Sequence, residues 1–390
     1  MLRHPGDPVN PDQLLPRLAI GPRVRKSPFF DATRRYGAKS FTVYNHMYMP
    51  TGYTDAVDEY WKLLEGVTLW DVACERQIEV TGPDAAKFVQ WLTPRNLSRC
   101  KVGRGRYVLL TAEDGGIVND AVLLRLAENH FWLSPGDGDV LLWAKGAAIH
   151  SGVQVAIAEP DVSPLQLQGP KSPEVARALF GDWVLDLAYY QLRETRLEDI
   201  PVVLTRTGWS GEIGYEIYLR DGSRGDELWE RVMAAGRPHD IAPITPSTIR
   251  SVEGGILSYG SDITLDDNPF TLGLDRLVDL DQEAEFIGKA ALRRIERAGV
   301  KRRLVGVEIA GDPLAASNDE FWPVRHGDEV VGRVTRCVYS PRLGRNIGFV
   351  NVPTERAGLG SELGIDAADG RRAARVVSTP FVESKKTIPR

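Results

Sequence analysis

After residue 66 the chain is organised by runs of alternating apolar and polar positions broken by Gly-rich turns. Residues 77–80 (QIEV) form a short β-type run, pass through Gly82-Pro83-Asp84, and enter DAAKFVQWL, whose apolar positions repeat at helical spacing. A period of two giving way to 3.6 across such a turn predicts a strand, a cap and a helix. Residues 107–110 and 117–124 are two further β-type runs around Asp114-Gly115-Gly116, a turn that accepts positive φ, and together they predict a hairpin. A third strand is expected at 130–133 and a helix at 139–149. Strands and helices alternate, but not with the regular spacing of βαβ units, so a mixed α+β fold is the class the pattern supports.

A second unit opens near Ser163 with LQLQGPKSPEVARALF, which parallels the earlier IEVTGPDAAKFVQWL. The two stretches read as an internal repeat, although strand, Gly-Pro turn and helix recur in unrelated chains as well. Past Ala298 the pattern shifts to short β runs separated by Gly, Asp and Pro (RLVGVEIAG, EVVGRVTRCVY, RNIGFVNV, RRAARVVSTP), the signature of a small all-β barrel. Residues 1–30, rich in Pro and Arg, read as an extended arm. The expected division is therefore an arm (1–30), an α+β region (31–300) with two related subdomains at about 66–160 and 161–265, and a C-terminal barrel domain (301–390). At 390 residues and 43% apolar composition the chain can fill more than one core, since single cores stop growing near ~250–300 residues.

Composition narrows the partners. The net charge is −5 and Lys and Arg are spread along the chain, which leaves no basic footprint for nucleic acid or an anionic membrane. No run approaches the ~18 apolar residues of a membrane span, and the start of the chain lacks the apolar segment of a secretion signal. Three cysteines without CxxC spacing support neither a disulfide framework nor a zinc ribbon; a cytoplasmic setting fits. Six scattered histidines make a metal site unexpected. The absence of GxxxxGK[ST], of GxGxxG after a strand, of GxSxG and of HExxH removes the usual support for nucleotide hydrolysis, dinucleotide chemistry, serine hydrolysis and zinc catalysis. A small-molecule partner is the remaining expectation.

Two segments carry candidate chemistry. RTGWSGEIGYEIYL (206–219) concentrates glycines, Trp209 and Glu216 in one strand-turn-strand. Backbone can approach a ligand at the glycines, the indole offers a flat apolar face, and the carboxylate offers two in-plane acceptors, which suits a flat heterocycle that donates hydrogen bonds. The same residues also fit an ordinary hairpin with Trp209 in the core and Glu216 in water. In DGGIVNDAVLL, Asp120 interrupts an apolar strand and shares a face with Val118 and Val122. Burying a carboxylate there is costly unless it is hydrogen-bonded or used, and an exposed edge strand is the alternative.

The ordered segments FTVYNHMYMP (41–50), LWDVACERQIEVTGPDAAKFVQWLTPRNLS, GRYVLLTAEDGGIVNDAVLL, LQGPKS, RTGWSGEIGYEIYL, LSYGSDITLDDNPF, FIGKAAL and YSPRLGRNIG resemble the glycine-cleavage T-protein (aminomethyltransferase) family from about Pro28 to the end. YNHMYMP, the Val-Asn-Asp of GGIVND, Trp209 in place of Tyr, and DNPF resemble its tetrahydrofolate-dependent dimethylsulfoniopropionate demethylase branch. The resemblance implies a three-domain ring with a C-terminal small β-barrel and tetrahydrofolate as cofactor in the central channel. It implies transfer of a methyl group to folate N5 from a small sulfonium, quaternary ammonium or methoxy donor. Two alternatives stay open. One is a glycine-cleavage aminomethyltransferase, which needs a lipoyl carrier protein as partner. The other is a non-catalytic folate-binding regulatory protein, whose relatives tend to carry a reactive Cys where this chain has EFIGKAAL.

The same resemblance implies that Asp120 is catalytic beside the reactive edge of the pterin and that Glu216 pairs with its pyrimidine edge. Tyr107 and Trp209 would flank the cofactor, and Tyr44 and Phe41, with Trp209, would line the donor site. Family members usually carry an arginine where this chain has Ser251. Arg250 lies one residue earlier, about 100° around a helix, and is the candidate to bind the cofactor in its stead.

Overall fold

A computed structural model of the chain describes residues 18–386, so the expected arm before residue 18 and the last four residues lie outside the described residues. The chain enters through helix α1 (Phe30–Arg35), the hairpin β1 (Ser40–Tyr44) and β2 (Met47–Gly52), α2 (Ala56–Glu65) and β3 (Thr68–Asp71). Helix α2 starts where Asp55 accepts a hydrogen bond from the Val57 amide at 2.9 Å, with acidic residues in its first turn favoured by the helix dipole, and stops at Gly66. At the end of the expected arm Phe29 and Phe30 are buried in the body, and Phe30 opens α1.

Next come β4 (Ile78–Thr81), α3 (Ala85–Leu92), β5 (Arg104–Thr111), β6 (Ile117–Ala127), β7 (His130–Pro135), α4 (Val140–Ala148) and β8 (Ala156–Ala158). These strands build a five-stranded sheet in the order β5-β6-β7-β4-β8. The expected helix cap at Asp84 is replaced by a longer-range contact, since its carboxylate makes no cap bond and accepts from the Gln154 amide at 2.8 Å. The chain continues through β9 (Ser163–Gln168), α5 (Ser172–Phe180), β10 (Leu192–Leu197), β11 (Ile200–Thr205), β12 (Gly214–Leu219), α6 (Gly225–Gly236), β13 (Ala242–Pro243), α7 (Thr248–Glu253) and α8 (Lys289–Ala298). A six-stranded sheet results, in the order β10-β11-β12-β9-β3-β13.

The two sheets follow one path: the strand before the helix sits beside the last of the three strands after it. Both Gly-Pro turns use a glycine at positive φ, +121° at Gly82 and +115° at Gly169. A Cβ there would meet a carbonyl oxygen at 2.6 Å and 2.5 Å, so no L-residue with a side chain fits either turn without strain.

One core packs α3 and α4 under the five-stranded sheet around Phe88, Leu110 and Leu123, and another packs α5 and α6 on the six-stranded sheet around Trp229, Leu167 and Ile217. The opposite faces of the two sheets meet through Leu124, Trp132, Val203 and Tyr218. Alternation along β6 sends Asn119, Ala121 and Leu123 inward while Val118, Asp120 and Val122 take the other face. β6 lies between β5 and β7, so the exposed-edge alternative for Asp120 is removed.

The C-terminal strands β14 (Arg302–Ile309), β15 (Pro323–His326), β16 (Glu329–Ser340), β17 (Arg345–Pro353), β18 (Glu362–Ala367) and β19 (Gly370–Val377) close a six-stranded barrel in the order β14-β17-β16-β15-β18-β19. Its interior is filled by Val307, Val334, Val350 and Ile365. Beyond it the chain returns to the six-stranded sheet: the Val382 amide bonds to the Glu253 carbonyl (2.9 Å), the Lys385 amide to the Gly211 carbonyl (2.8 Å), and Arg206 to the Lys386 carbonyl (2.6 Å). Among the described residues no helix is long and apolar enough to cross a membrane.

Candidate functional site

Where the two sheets, the segment around α7 and the barrel converge, they enclose a cavity of about 680 Å³, within the range of small-molecule sites. Asp120 reaches it from β6. The register pairs Leu109 with Asp120 and Tyr107 with Val122, which puts Tyr107 and Asp120 diagonally on one face. The Tyr107 hydroxyl donates to Asp120 Oδ2 at 2.9 Å, while Oδ1 is buried with no partner. Burial pushes the Asp120 carboxyl up to about 6 against the pull of the Tyr107 hydroxyl, with Asp262 adding to the rise. The Tyr107 phenol, itself buried, is pushed far above its ordinary value and so remains a donor. At Gly136 a Cβ would stand 3.2 Å from Asp120 Oδ1 and 3.0 Å from Tyr259, so the space beside the unpartnered oxygen depends on glycine there.

Glu216 reaches the cavity from β12, directly opposite Gln166 on β9 and Thr205 on β11. Gln166 donates to Oε1 at 2.8 Å; Tyr218 (2.9 Å), Thr205 (3.4 Å) and Thr207 donate to Oε2. The solvated alternative for this residue is therefore removed, and one oxygen is already saturated. Burial still raises the carboxyl above its ordinary value, with these four donors opposing. Trp209 lines the cavity half-buried, its amide donating to Gln166 Oε1 at 3.3 Å.

Tyr44 also lines the cavity. Its hydroxyl accepts from the Asp137 amide at 2.9 Å. The β1–β2 turn that carries it places Asn45 and His46 at φ +50° and +62°, and Asn45 fastens it to the β7–α4 loop through Gly136, Asp137 and Gly138.

Two sequence candidates stand elsewhere. Phe41 packs its ring 5.1 Å from that of Phe30, and neither Phe41 nor Arg250 lines the cavity. Arg250 is fully buried and donates to Glu212 at 2.8 Å and to the Gly211 and Glu383 carbonyls. A guanidinium so bound has little freedom to hold a ligand. At the neighbouring position Ser251 Oγ accepts from Arg336 at 2.9 Å, and Arg336, delivered by β16 of the barrel, does line the cavity.

Other residues of the cavity were not singled out from the sequence. Glu75 shares the cavity with Asp120 and Glu216, and burial first, then the charges of Glu216 and Asp120, push its carboxyl well above the ordinary range. Arg95, Arg276 and Lys386 supply positive charge, while the guanidinium of Arg336 is committed to Asp262, Ser251 and the Ile256 carbonyl. Lys386 is pushed down to about 8 by burial and by Arg250 and Arg206. Among the described residues no cluster of His, Cys, Asp and Glu is arranged to hold a metal.

Comparison with known proteins matches two family models, the GCVT N-terminal domain over residues 29–282 and the glycine cleavage T-protein C-terminal barrel domain over residues 302–383. The chain is 35% identical over 354 residues to the dimethylsulfoniopropionate demethylase DmdA of Ruegeria pomeroyi, covering 91% of this chain and 96% of that protein. It is 31% identical over 373 residues to an aminomethyltransferase of Symbiobacterium thermophilum, covering 93% and 98%. The crystal structure of the glycine cleavage system aminomethyltransferase T from Bartonella henselae superimposes with a TM-score of 0.84 at 24% identity, covering 93% of this chain and 99% of that one, and shares the fold.

Proposed function

The chain belongs to the glycine cleavage T-protein family, and on that premise we propose that it transfers a methyl group from a small donor to tetrahydrofolate. The observation that carries the reading is the pairing of Asp120 with Tyr107 at the wall of a ligand-sized cavity, one carboxylate oxygen held and the other buried and unpartnered. The similarity to a dimethylsulfoniopropionate demethylase supports a methyl donor over an aminomethyl one.

The residues fit tetrahydrofolate. The unpartnered Asp120 oxygen and Glu216 Oε1 suit a donor-rich heterocycle, Tyr107 and Trp209 offer flat faces, and the cationic side chains of Arg95, Arg276 and Lys386 suit an anionic tail. When bound, tetrahydrofolate supplies a nucleophilic secondary amine, N5, as the methyl acceptor. Asp120, ionised at neutral pH, would accept at Oδ1 the proton that nitrogen gives up when the methyl carbon's bond to the donor heteroatom breaks and an onium donor departs as a neutral thioether or amine, and Tyr107 holds the carboxylate in place for it. Glu216, fixed by Gln166, Thr205, Thr207 and Tyr218, accepts from ring N–H groups. The enclosing walls supply orientation, which in favourable systems lowers a bimolecular barrier by about 7–11 kcal/mol.

The test is formation of 5-methyltetrahydrofolate from a sulfonium, a quaternary ammonium and an aryl methyl ether donor, alongside an aminomethyl-lipoyl carrier protein. A methylated product from one of the first three, lost by more than about 100-fold in Asp120→Asn, supports the reading. Use of the lipoyl substrate alone, or full turnover by the variant, overturns it.

A further inference from the structure

Three carboxylates face the cavity, and none of them makes an ion pair among the described residues; their donors are hydroxyls and an amide. Glu216 is held by four donors, and Asp120 takes one, from Tyr107, and already has its part in the transfer reading. Glu75 is different. It accepts one hydrogen bond, from Ser134 to Oε2 at 3.2 Å, and Ser134 is in turn oriented by the buried Gln77, whose amide donates to it at 2.8 Å. The cation next in sequence, Arg76, is committed to Glu159. A carboxylate aimed into a cavity by a directed chain of neutral donors, with no counter-charge, is costly without a ligand that brings one.

The geometry points to Glu75 as the residue that makes this cavity selective for a permanently charged onium donor over a neutral one, in a pocket whose walls include Tyr44 and Trp209. This rests on the methyl-transfer reading above. A sulfonium or quaternary ammonium group has no N–H or O–H, so hydrogen-bonding residues cannot recognise it; an unpaired carboxylate and aromatic faces can. Burial, Glu216 and Asp120 disfavour the Glu75 anion, and a fixed positive charge beside it reverses that balance. A neutral methoxy donor leaves the carboxylate uncompensated and gains nothing from it.

The experiment is calorimetric binding of matched pairs differing only in charge: dimethylsulfoniopropionate against 4-methylpentanoate, and 3-(trimethylammonio)propionate against 4,4-dimethylpentanoate. The wild-type protein binds the onium member of at least one pair more tightly. In Glu75→Gln the ratio of onium to carbon isostere falls by about 10- to 100-fold with isostere affinity unchanged, whereas Glu75→Asp, which keeps the charge, retains the preference. A Gln variant with the wild-type ratio, two variants that behave alike, or a wild-type protein with no onium preference overturns the assignment. Methylfolate formation by the wild type is scored separately. Onium selectivity that depends on Glu75 without any methylfolate product sinks the transfer reading alone, and product formation with unchanged selectivity in the Gln variant sinks the Glu75 assignment alone.

Discussion

Replacing Tyr107 by Phe removes the single side-chain donor to Asp120 while keeping the ring. In the wild type the donor sits 2.9 Å from Oδ2 and the carboxyl titrates at about 6. A hydrogen bond to a charged group is worth about 1.5–3 kcal/mol, or roughly 1–2 pKa units. Its loss disfavours the anion, so the Asp120 titration should move up to about 7–8. The active form is the ionised one, present above the pKa and lost as pH falls through it. At pH 7 the ionised fraction then drops from about nine-tenths to between a half and a tenth, and the single-turnover rate of methylfolate formation falls about 2- to 10-fold while approaching wild type near pH 9. The assay is that rate from pH 5.5 to 9 at saturating donor and folate. Acid limbs that coincide in the two proteins would refute the role given to the Tyr107–Asp120 contact.

Asp71, buried and raised from 3.8 to about 6 mainly by desolvation, binds its proton more tightly folded than unfolded. The shift corresponds to about 3 kcal/mol of stability present below pH ~4 and lost as pH rises through 6. Relative to Asp71→Asn, the wild type should therefore lose stability across that window in urea titrations, and a gap that stays constant with pH contradicts the placement. Arg250→Leu strands Glu212 in the interior, while Glu253 keeps Arg342 at 3.3 Å, and should cost about 3–5 kcal/mol, seen as a lower thermal midpoint. Folate affinity of the folded protein should stay within about twofold, because Arg250 does not line the cavity. Glu216→Gln replaces an acceptor by a group that also donates and should weaken folate binding by about 1–3 kcal/mol in calorimetry; an unchanged affinity removes Glu216 from the folate site.

Local periodicity carried the elements well. The Gly-rich turn at 114–116, the strand containing Asp120 and the runs that close the barrel all follow from alternation and turn chemistry, which act over a few residues. Which faces meet is decided by pairing across long separations, and the residues missed are of that kind. Glu75 lies in CERQ between two strands, and from sequence alone it looks like a solvated turn; only the opposing sheets enclose it. Arg336 sits where the β16–β17 register shifts between Val334 and Arg336, so counting parity along the strand misplaces it. Arg250 is only the sequence neighbour of the position, Ser251, where the family carries its arginine. A helix turns adjacent side chains about 100° apart, and that turn carries Arg250 to Glu212 rather than to the cavity.

The segment that returns from the barrel to lie along Gly211, Glu253 and Arg206 brings Lys386 to the cavity wall. Protein is made from its N-terminus, and earlier portions can fold before later ones emerge from the ribosome. Both sheets and the barrel strands are complete in the growing polypeptide before residues 382–386 clear the exit tunnel. The pocket thus acquires that wall only after both sheets and the barrel have been synthesised, so removing residues 382–386 would spare the barrel and both sheets yet leave that wall open.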